Sequence, residues 1–189
     1  MTDVALNALG KLLVKDRGDG TFLLRTSVQS DIIRSTVDFT RPANITGYSA
    51  GHALAPNSQN ALLTFANAAR EAAGGGTIAQ ARMVKTGTGT TGQFRLWLFS
   101  AAPAGIPSAD QAAYSPAWAN RAIRLGHVDF TSWIAGSDCA VCEGALSGTF
   151  GFPFMLAAGT SLFGIAEARA SYVPASGEQF HFALGIYQG

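Results

Sequence analysis

The chain contains 189 residues with a formal net charge of +1, and only 13% of the residues are charged. A near-neutral chain without a basic run gives no electrostatic reason to expect nucleic-acid binding. Its apolar stretches reach roughly ten residues, whereas a membrane-spanning helix needs about 20. We therefore expect no nucleic acid and no membrane among its partners. The N-terminal segment lacks the basic start and long apolar run of a signal peptide, which predicts synthesis in the cytoplasm.

The first part of the chain combines a short apolar segment with two β-rich runs. Residues 1–18 include "VALNALGKLL", whose apolar spacing suits a short helix or an arm. The turn dipeptide Asp19-Gly20 then introduces a run from Thr21 to Val28, and another run extends from Ile32 to Thr40. We predict that residues 1–18 form an N-terminal arm or short helix and that residues 19–189 form a single domain.

The next segments are also strand-like, although one of them is ambiguous. Residues 44–55 alternate loosely and contain two glycines, which predicts a bulged or edge strand. Residues 60–76 fit either an alanine-rich helix or a strand that ends in a glycine loop, and we favour a strand from Ala61. Residues 77–87 predict a strand that carries on one face Ile78, Gln80, Arg82 and Val84.

The second half of the chain continues this pattern. The stretch "FRLWLFSAA" has no polar alternation after Arg95, which predicts a strand buried on both faces in its second half. Residues 103–122 form a predicted loop with a short helix from Ala117. One or two strands are expected in residues 122–136, and two more in residues 145–173. The last strand shows the cleanest alternation, with one face composed of Phe180, Phe182, Leu184 and Ile186.

About ten strands separated by turn residues, without sustained helical periodicity, define the expected fold class. This spacing is typical of a β-sandwich or a closed barrel and not of βαβ units. We predict an all-β protein whose single domain is an antiparallel β-sandwich, with a jelly roll as one version of it.

The two cysteines, Cys139 and Cys142, form a C-x-x-C motif. A zinc site needs two further ligands, and the sequence contains no second paired motif. A redox pair usually lies at a helix start in a βαβ setting, which this sequence lacks. We interpret both cysteines as small apolar residues of a strand or turn, and we assign no metal ligand and no cofactor.

The sequence contains no recognisable catalytic constellation. No G-x-S-x-G motif is present, and the three histidines stand far apart in sequence. We expect His181 to lie on the polar face of the last strand, in contact with solvent or a neighbour. Most acidic residues lie beside predicted turns, where paired buried carboxylates for glycoside hydrolysis are not expected. Trp97, Trp118 and Trp133 could form a sugar-binding platform, but core or interface packing is favoured for them.

Five segments, in order, resemble the capsid decoration proteins of tailed bacteriophages, which are also described as cement or head-stabilising proteins. Together these segments cover about three quarters of the chain. They are "YSAGHALA" (48–55), "GGGTIAQARMVKTG" (74–87), "FRLWLFSAAP" (94–103), "AYSPAWANRAIRLGHVDF" (113–130) and "LFGIAEARASYVPASGEQFHFALGI" (162–186).

The resemblance implies a non-enzymatic virion protein. Such a protein would form a β-sandwich, perform no catalysis and dock on the outside of an icosahedral shell. There it would bridge subunits of the major capsid protein, with self-association into a homo-oligomer. The family has no catalytic residues to transfer to this chain. The apolar N-terminal segment becomes a candidate arm that clasps a neighbour.

Two other functions stay open at this point. One is a carbohydrate-binding or receptor-binding β-sandwich of a phage head or tail fibre, which clustered surface aromatics beside a groove would favour. The other is a hydrolase on a sandwich scaffold, which buried acids or a Ser-His contact in a cleft would favour.

Overall fold

The computed structural model describes residues 32–57, 59–147 and 151–188, together with the backbone of three strands before residue 32. The chain divides into two compact units, Met1–Asp31 and Ile32–Gly189. The first unit contains a three-stranded antiparallel sheet in the order β1-β2-β3. Its strands are β1 (Val4–Leu6), β2 (Leu12–Asp16) and β3 (Phe22–Arg25).

This division differs from the sequence-based boundary after residue 18. The run that was expected to open the sandwich contains β3, which pairs antiparallel with β2 inside the first unit. Described residues of the first eighteen, in β1 and β2, are extended and not helical. A β-rich run therefore has a local pairing partner that the sequence pattern did not indicate.

The second unit is built from twelve strands and one turn of 3₁₀ helix at Trp118–Asn120. The strands are β4 (Ile32–Thr40), β5 (Ala53–Leu54), β6 (Leu63–Phe65), β7 (Gly75–Thr86), β8 (Phe94–Phe99), β9 (Arg124–Phe130), β10 (Trp133–Ala135), β11 (Cys139–Glu143), β12 (Ala145–Leu146), β13 (Phe152–Met155), β14 (Leu162–Ala168) and β15 (Gln179–Gln188).

These strands form two antiparallel sheets, and no α-helix occurs in the described part of the chain. Sheet 1 has the order β10-β11-β7-β15-β4, with β13 also paired to β7. Sheet 2 has the order β12-β9-β8-β14-β5, with β6 also paired to β14. The predicted all-β antiparallel sandwich is confirmed, while its jelly-roll version stays a prediction.

The main core lies between the two sheets. Strand β15 contributes its predicted apolar face, and Phe180, Phe182, Leu184 and Ile186 are all buried. Sheet 2 contributes Phe94, Leu96 and Leu98 from β8 to the same cluster. Alternate residues of a strand point to opposite faces, so each strand supplies the core with every second side chain.

Strand β7 departs from the predicted alternation at its start. Ile78 was expected on the same face as Gln80 and Arg82, but Ile78 is fully buried while the other two are exposed. The pairing with β15 shifts between Gly185 and Ile186, so that Ala79 is an extra residue on β7. A β-bulge of this kind returns the following residues to the opposite face.

Strand β8 is buried on both faces in its second half, as predicted. Leu98 belongs to the main core, whereas Phe99 lies in a smaller apolar cluster on the outer face of sheet 2. Ile165 and Tyr114 complete this second cluster with three small alanines. The loop that contains the 3₁₀ helix supplies Tyr114 and thereby covers this part of the sheet.

Two ambiguous segments are resolved by the tertiary structure. Residues 60–74 form the short strand β6 and turns and not a helix, as favoured, but the expected glycine loop is wrong, because Gly75 and Gly76 begin β7. Residues 44–55 contain only β5 and two isolated bridges, one of which joins Tyr48 to Tyr172. The short helix expected from Ala117 is the 3₁₀ turn.

Candidate interaction surface

The C-x-x-C motif lies on β11, which decides what the two thiols can do. Residues three positions apart in a strand point to opposite faces. Cys142 is buried in the main core beside Met83, whereas Cys139 is partly exposed beside Thr86 on the outer face. Both thiols are free, and burial raises the pKa of Cys142. The pair therefore cannot close a disulfide or share one metal ion in this fold.

Within the described residues, no group of three or more His, Cys, Asp or Glu side chains could hold a metal ion. The same part of the chain contains no helix that is long and apolar enough to cross a membrane.

His181 lies on the outer face of sheet 1, as predicted. Its Nδ1 is 2.6 Å from Oδ1 of Asp38 on the neighbouring strand β4. Both residues line a cavity of about 380 Å³ that also reaches Cys139. The register places Cys139 two strands and one row away from His181, which corresponds to roughly 12 Å. The thiol is therefore too far from the imidazole to act as its nucleophilic partner.

The other two histidines serve local contacts. His52 accepts a hydrogen bond at Nδ1 from the backbone N–H of Ser49. His127 packs against Trp97 on the outer face of sheet 2, with ring centroids 5.1 Å apart and the ring planes tilted by 58°. The structure does not bring the three histidines into one site.

A buried polar network forms around Arg41, whose side chain is fully inaccessible. Its Nε donates to Oη of Tyr48 at 3.0 Å, and Nη2 donates to Oδ1 of Asn44 and to Oδ2 of Asp110. Its Nη1 donates to the backbone carbonyls of Asn44 and Ala175. All five N–H groups of the guanidinium have partners, which is the condition for tolerating a buried cation.

Asp110, the acidic residue of this network, accepts hydrogen bonds at both carboxylate oxygens. Oδ1 of Asp110 accepts from Oη of Tyr48 at 2.6 Å and from the backbone N–H of Ala55 at 3.0 Å. Burial, followed by the hydrogen bond and charge of Asp110, raises the pKa of Tyr48 well above its ordinary value. The carboxylate therefore fastens its loop to the residue that follows β5, and Asp110 also lines a cavity of about 300 Å³.

A second buried network adjoins the first. Lys85 and Glu178 are both about 97% buried, and Oη of Tyr172 contacts both carboxylate oxygens of Glu178 at 2.6 and 2.7 Å. Nζ of Lys85 donates to Tyr172 at 3.0 Å and lies 3.5 Å from Glu178. Burial and the neighbouring carboxylate raise the pKa of Tyr172. The rings of Tyr172 and Tyr48 stack at 6.3 Å, which joins the two networks.

Sequence reasoning missed both networks. Asp110 and Glu178 were interpreted as acids beside turns, and this position in the chain is correct, but both side chains are almost completely buried. The only sequence signal is the presence of tyrosines and cations in distant segments. Buried acids were expected to favour a hydrolase, but both of these acids are held by internal hydrogen bonds, and the structure places no histidine in either network.

The outer face of sheet 2 also carries an ion-pair group. Arg95 donates to both oxygens of Asp129, from Nε at 2.6 Å and from Nη2 at 2.8 Å. The guanidinium of Arg95 lowers the pKa of Asp129. Beside it, burial first and then the positive charge of Arg95 lower the pKa of His127. This group stabilises the pairing of β8 with β9 and leaves neither charge unmatched.

The three tryptophans do not form a common platform. Trp133 packs edge-on against Phe94 and donates from Nε1 to the backbone carbonyl of Gly92 at 2.8 Å. Trp97 is half-buried on the opposite sheet, and Trp118 is 78% exposed in the covering loop beside Arg121. Trp118 is thus the one tryptophan that solvent reaches freely.

An exposed apolar strip crosses the outer face of sheet 1 near one end of its strands. The register aligns Ile32 of β4, Tyr187 of β15, Thr77 of β7 and Pro153 of β13 in one row. Met155 lies on the same face one row further along β13. Ile32 and Met155 are 63% and 72% exposed. We call Ile32, Tyr187, Pro153 and Met155 the apolar strip.

This strip is the strongest interaction surface among the described residues. Single exposed apolar side chains are ordinary, but contiguous ones indicate a contact surface. The row contains no charged side chain, and adjacent strands of a sheet lie about 4.8 Å apart, so the strip spans roughly 14 Å. Sequence reasoning did not identify it, because its four members come from three separate segments of the chain.

Comparison with protein families and with curated proteins gives no relative for this chain. No protein family matches it, and no curated protein matches it significantly.

Proposed function

We propose that this chain is a non-enzymatic structural protein of a tailed-bacteriophage particle. It binds the outer surface of the capsid and bridges neighbouring copies of the major capsid protein. The ordered resemblance of five segments to decoration proteins supports this proposal, and so does the antiparallel sandwich that the resemblance implies. The protein therefore belongs to the virion surface after its synthesis in the host cytoplasm.

The apolar strip is the observation that carries the proposal. A sheet face with exposed apolar side chains and no charge in the row suits a permanent contact with another protein, since the centres of such contacts are depleted of charged residues. Because a capsid presents many identical sites, a modest contact made by each copy is sufficient to retain a coat of this protein.

The internal architecture agrees with a mechanical role. Buried ion pairs with hydrogen-bonded partners hold the loop 41–48, Asp110 and the turn before β15 in fixed positions. Hydrogen-bonded networks of this kind keep a scaffold rigid. The scaffold thus presents the apolar strip in one geometry.

Cosedimentation of the purified protein with phage particles that lack it tests the proposal. We expect the wild-type protein to bind and electron cryomicroscopy to show it on the shell between capsid subunits. Met155→Asp should weaken binding by about tenfold or more, because it buries a charge in the contact. Val173→Asp is the matched control, since Val173 is 69% exposed but lies outside the apolar strip.

These experiments distinguish an error in the proposed contact surface from an error in the proposed function. Equal binding by Met155→Asp and Val173→Asp would show that the strip is not the contact. Absence of the wild-type protein from particles would overturn the proposed function. Binding to a glycan array that is lost in Trp118→Ala would instead support the carbohydrate-binding alternative, because Trp118 is the exposed aromatic that a sugar ring could stack on.

A further inference from the structure

Strand β4 is an edge strand that natural sheets rarely leave open at this length. It spans nine residues, and within the described chain it pairs with β15 only. The other described strands with a single neighbour, β5, β6, β10, β12 and β13, have two to four residues each. Long edges present unpaired backbone groups to other chains, and proteins usually shorten, bulge or cover them. The uninterrupted register of β4 contains no proline and no bulge.

The direction of the backbone groups of β4 follows from two hydrogen bonds at its end. The N–H of Arg41, the residue after β4, donates to the carbonyl of Glu178, the residue before β15, and the β4–β15 register places these two residues opposite each other. Since hydrogen-bonded positions alternate in an antiparallel pair, the odd-numbered residues of β4 face β15 and the even-numbered ones face outward. Thr40 confirms this alternation, because its carbonyl accepts from the backbone N–H of Asn57 on the free side.

Arg34, Thr36 and Asp38 therefore direct their N–H and C=O groups away from the sheet. No backbone partner for these groups occurs among the described residues. A groove of about 550 Å³ lies along this side of the strand and is lined by residues 33–36 of β4 and by the loop Ala66–Arg70. The edge thus has both unpaired backbone groups and space beside it.

The charged side chains on the open edge of β4 can pair with the same side chains of a second copy. Arg34 and Asp38 are both exposed and lie symmetrically two residues before and after Thr36. Oδ1 of Asp38 contacts His181, and 72% of the Asp38 side chain is accessible. If the strand pairs antiparallel with a copy of itself centred on Thr36, each Arg34 stands directly opposite an Asp38, where opposite charges stabilise the pair.

Other registers lack this match. Centring the pair on Arg34 would place two arginines opposite each other, and centring it on Asp38 would place two aspartates opposite each other, both of which are unfavourable. Centring it on Ser35 or Val37 pairs neither charge with its opposite. When Thr36 lies on the axis, the outward backbone N–H and C=O groups of the even-numbered residues of β4 point toward the partner strand and can form hydrogen bonds with it.

We propose that β4 pairs antiparallel with β4 of a second copy of this chain, about a twofold axis through Thr36, so that Arg34 of each copy faces Asp38 of the other. Sheet 1 of one copy then continues into sheet 1 of the other copy over the stretch from Arg34 to Asp38. Beyond it, Thr40 is already occupied by Asn57. The half-exposed Ile33 and Val37 on the core side of the edge become covered by the partner strand.

The expected role of this chain includes self-association, and the β4–β4 dimer specifies how two copies associate. The twofold axis of two antiparallel edge strands is perpendicular to the sheet, so the outer faces of both copies point the same way. Both apolar strips are then presented to one surface, and binding of one strip raises the effective concentration of the other.

Disulfide cross-linking tests the pairing on the purified full-length chain. In a Cys139→Ser background, Thr36→Cys should form a covalent dimer of twice the 19.6 kDa chain mass under mild oxidation. Hydrogen-bonded pairs have Cα atoms about 5.5 Å apart, within the range of a disulfide. Thr40→Cys is the control, since the two Thr40 residues would lie about 27 Å apart in this register. Equal cross-linking of the two variants would overturn the proposal.

Charge exchange tests the register by sedimentation equilibrium. Arg34→Asp alone and Asp38→Arg alone should each raise the dimer Kd by about tenfold or more, because like charges then face each other. The double exchange Arg34→Asp with Asp38→Arg should restore dimerisation. Arg82→Asp, on the same face but two strands from the edge, should leave the Kd unchanged. The inference is overturned if the wild-type chain is still monomeric at a protein concentration that is about 100 times a typical micromolar Kd.

Proline substitution separates edge pairing from folding. Thr36→Pro removes an outward N–H and should abolish the dimer while preserving the thermal unfolding transition, because edge strands tolerate proline at outward positions. Val37→Pro removes a bond to β15 and should lower the stability itself. A Thr36→Pro variant that folds and still dimerises overturns the proposal.

These measurements need no capsid, so the two proposals fail separately. A dimer in solution that does not bind particles contradicts the proposed function only. A monomer that binds particles contradicts the strand pairing only. Cross-linking of Thr36→Cys on particles to the capsid protein instead of a second copy also overturns the inference, and it would identify an extended capsid segment as the occupant.

Discussion

Arg41 shows how much depends on a single side chain in this protein. Its guanidinium is buried and connects the loop at Asn44, the ring of Tyr48 and the carboxylate of Asp110. A partly satisfied buried network is worse than an apolar one, because each group without a partner carries its full desolvation cost. The residue is therefore a structural centre of the loop region.

We predict that Arg41→Met lowers the free energy of unfolding by about 3–5 kcal/mol, because it leaves the Asp110 carboxylate buried without a cation. Arg82→Met should cost less than about 1 kcal/mol, since the Arg82–Glu143 pair is exposed on the outer face. Urea unfolding of both variants measures the difference. Equal losses would contradict the assignment of the first network as structural.

His127 should make stability depend on pH on the acid side of neutrality. Its folded pKa is lowered by burial and by Arg95, and next by Arg169, while Asp129 and Glu167 act in the opposite direction. Unfolded His127, with a pKa near 6.5, then binds protons more readily than the folded form. Its contribution is therefore complete above that value and is lost as the pH falls through it toward the lower folded pKa.

We predict that His127→Gln reduces the loss of unfolding free energy between about pH 7.5 and about pH 5. Asp129 does not interfere, because its lowered folded pKa keeps its contribution until the pH falls below the ordinary aspartate value of 3.8. Urea titrations at a series of pH values provide the measurement. Parallel pH profiles for the variant and the wild type would refute the role of His127.

The cysteines should differ in reactivity. Cys139 is partly exposed, whereas Cys142 is 1% exposed with a raised pKa, and thiolate is the reactive form. We predict that a thiol reagent modifies one cysteine quickly in the native protein and both in denaturant. Cys139→Ser should remove the fast phase. Two fast thiols in the native state, or a native intramolecular disulfide, would be incompatible with the strand placement.

At the scale of elements, β14 illustrates how tightly the core-facing side chains of neighbouring strands pack within sheet 2. Gly164 lies in the middle of this strand, between Leu98 of β8 and Leu63 of β6. A Cβ atom at this position would lie 2.8 Å from Cδ1 of Leu96 and 3.0 Å from Cε2 of Phe65. The glycine is therefore required by packing against the core and not by its backbone angles.

We predict that Gly164→Ala lowers the free energy of unfolding by roughly 1–3 kcal/mol, the usual cost of overpacking a filled core. Gly89→Ala is the control, because the nearest atom to its Cβ would be Nζ of Lys85 at 3.7 Å, an ordinary contact. Thermal unfolding followed by circular dichroism compares them. A neutral effect of Gly164→Ala would show that the side chains of Leu96 and Phe65 can move aside at little cost.

At the scale of the whole molecule, the last strand holds sheet 1 together. Strand β15 lies between β7 and β4 and pairs with both over most of its length. It also carries four fully buried apolar side chains into the main core. Strands β4 and β15, which lie near the two ends of the second unit, must therefore find each other across a long stretch of chain. Contacts between residues far apart in sequence form slowly, so we expect slow folding.

We predict that a chain truncated after Glu178 shows no cooperative unfolding transition, because β4 loses its neighbour and the core loses one wall. Deletion of Thr88 and Gly89 from the exposed loop after β7 should leave the transition within a few degrees, as surface loops tolerate shortening. Near-ultraviolet circular dichroism during heating measures both. A cooperative transition in the truncated chain would contradict the central role of β15.

The sequence by itself determined the strand content and the faces of most strands, because period-two alternation is a local property. The face of β15 and the double burial of β8 were readable in this way, whereas the strand at 63–65 was favoured over a helix but was ambiguous in the sequence. The separation of Cys139 from Cys142 needed only one further fact, that both lie in one strand.

Only the tertiary structure decided which strands are neighbours and which polar groups are buried. Asp110 and Glu178 are beside turns in the chain, yet cations from distant segments close over them. The bulge at Ala79, the open edge of β4 and the apolar strip likewise arise from pairings between remote segments. The physical reason is that a strand pattern specifies which face is apolar, whereas contacts across the sheets select the partner that covers it.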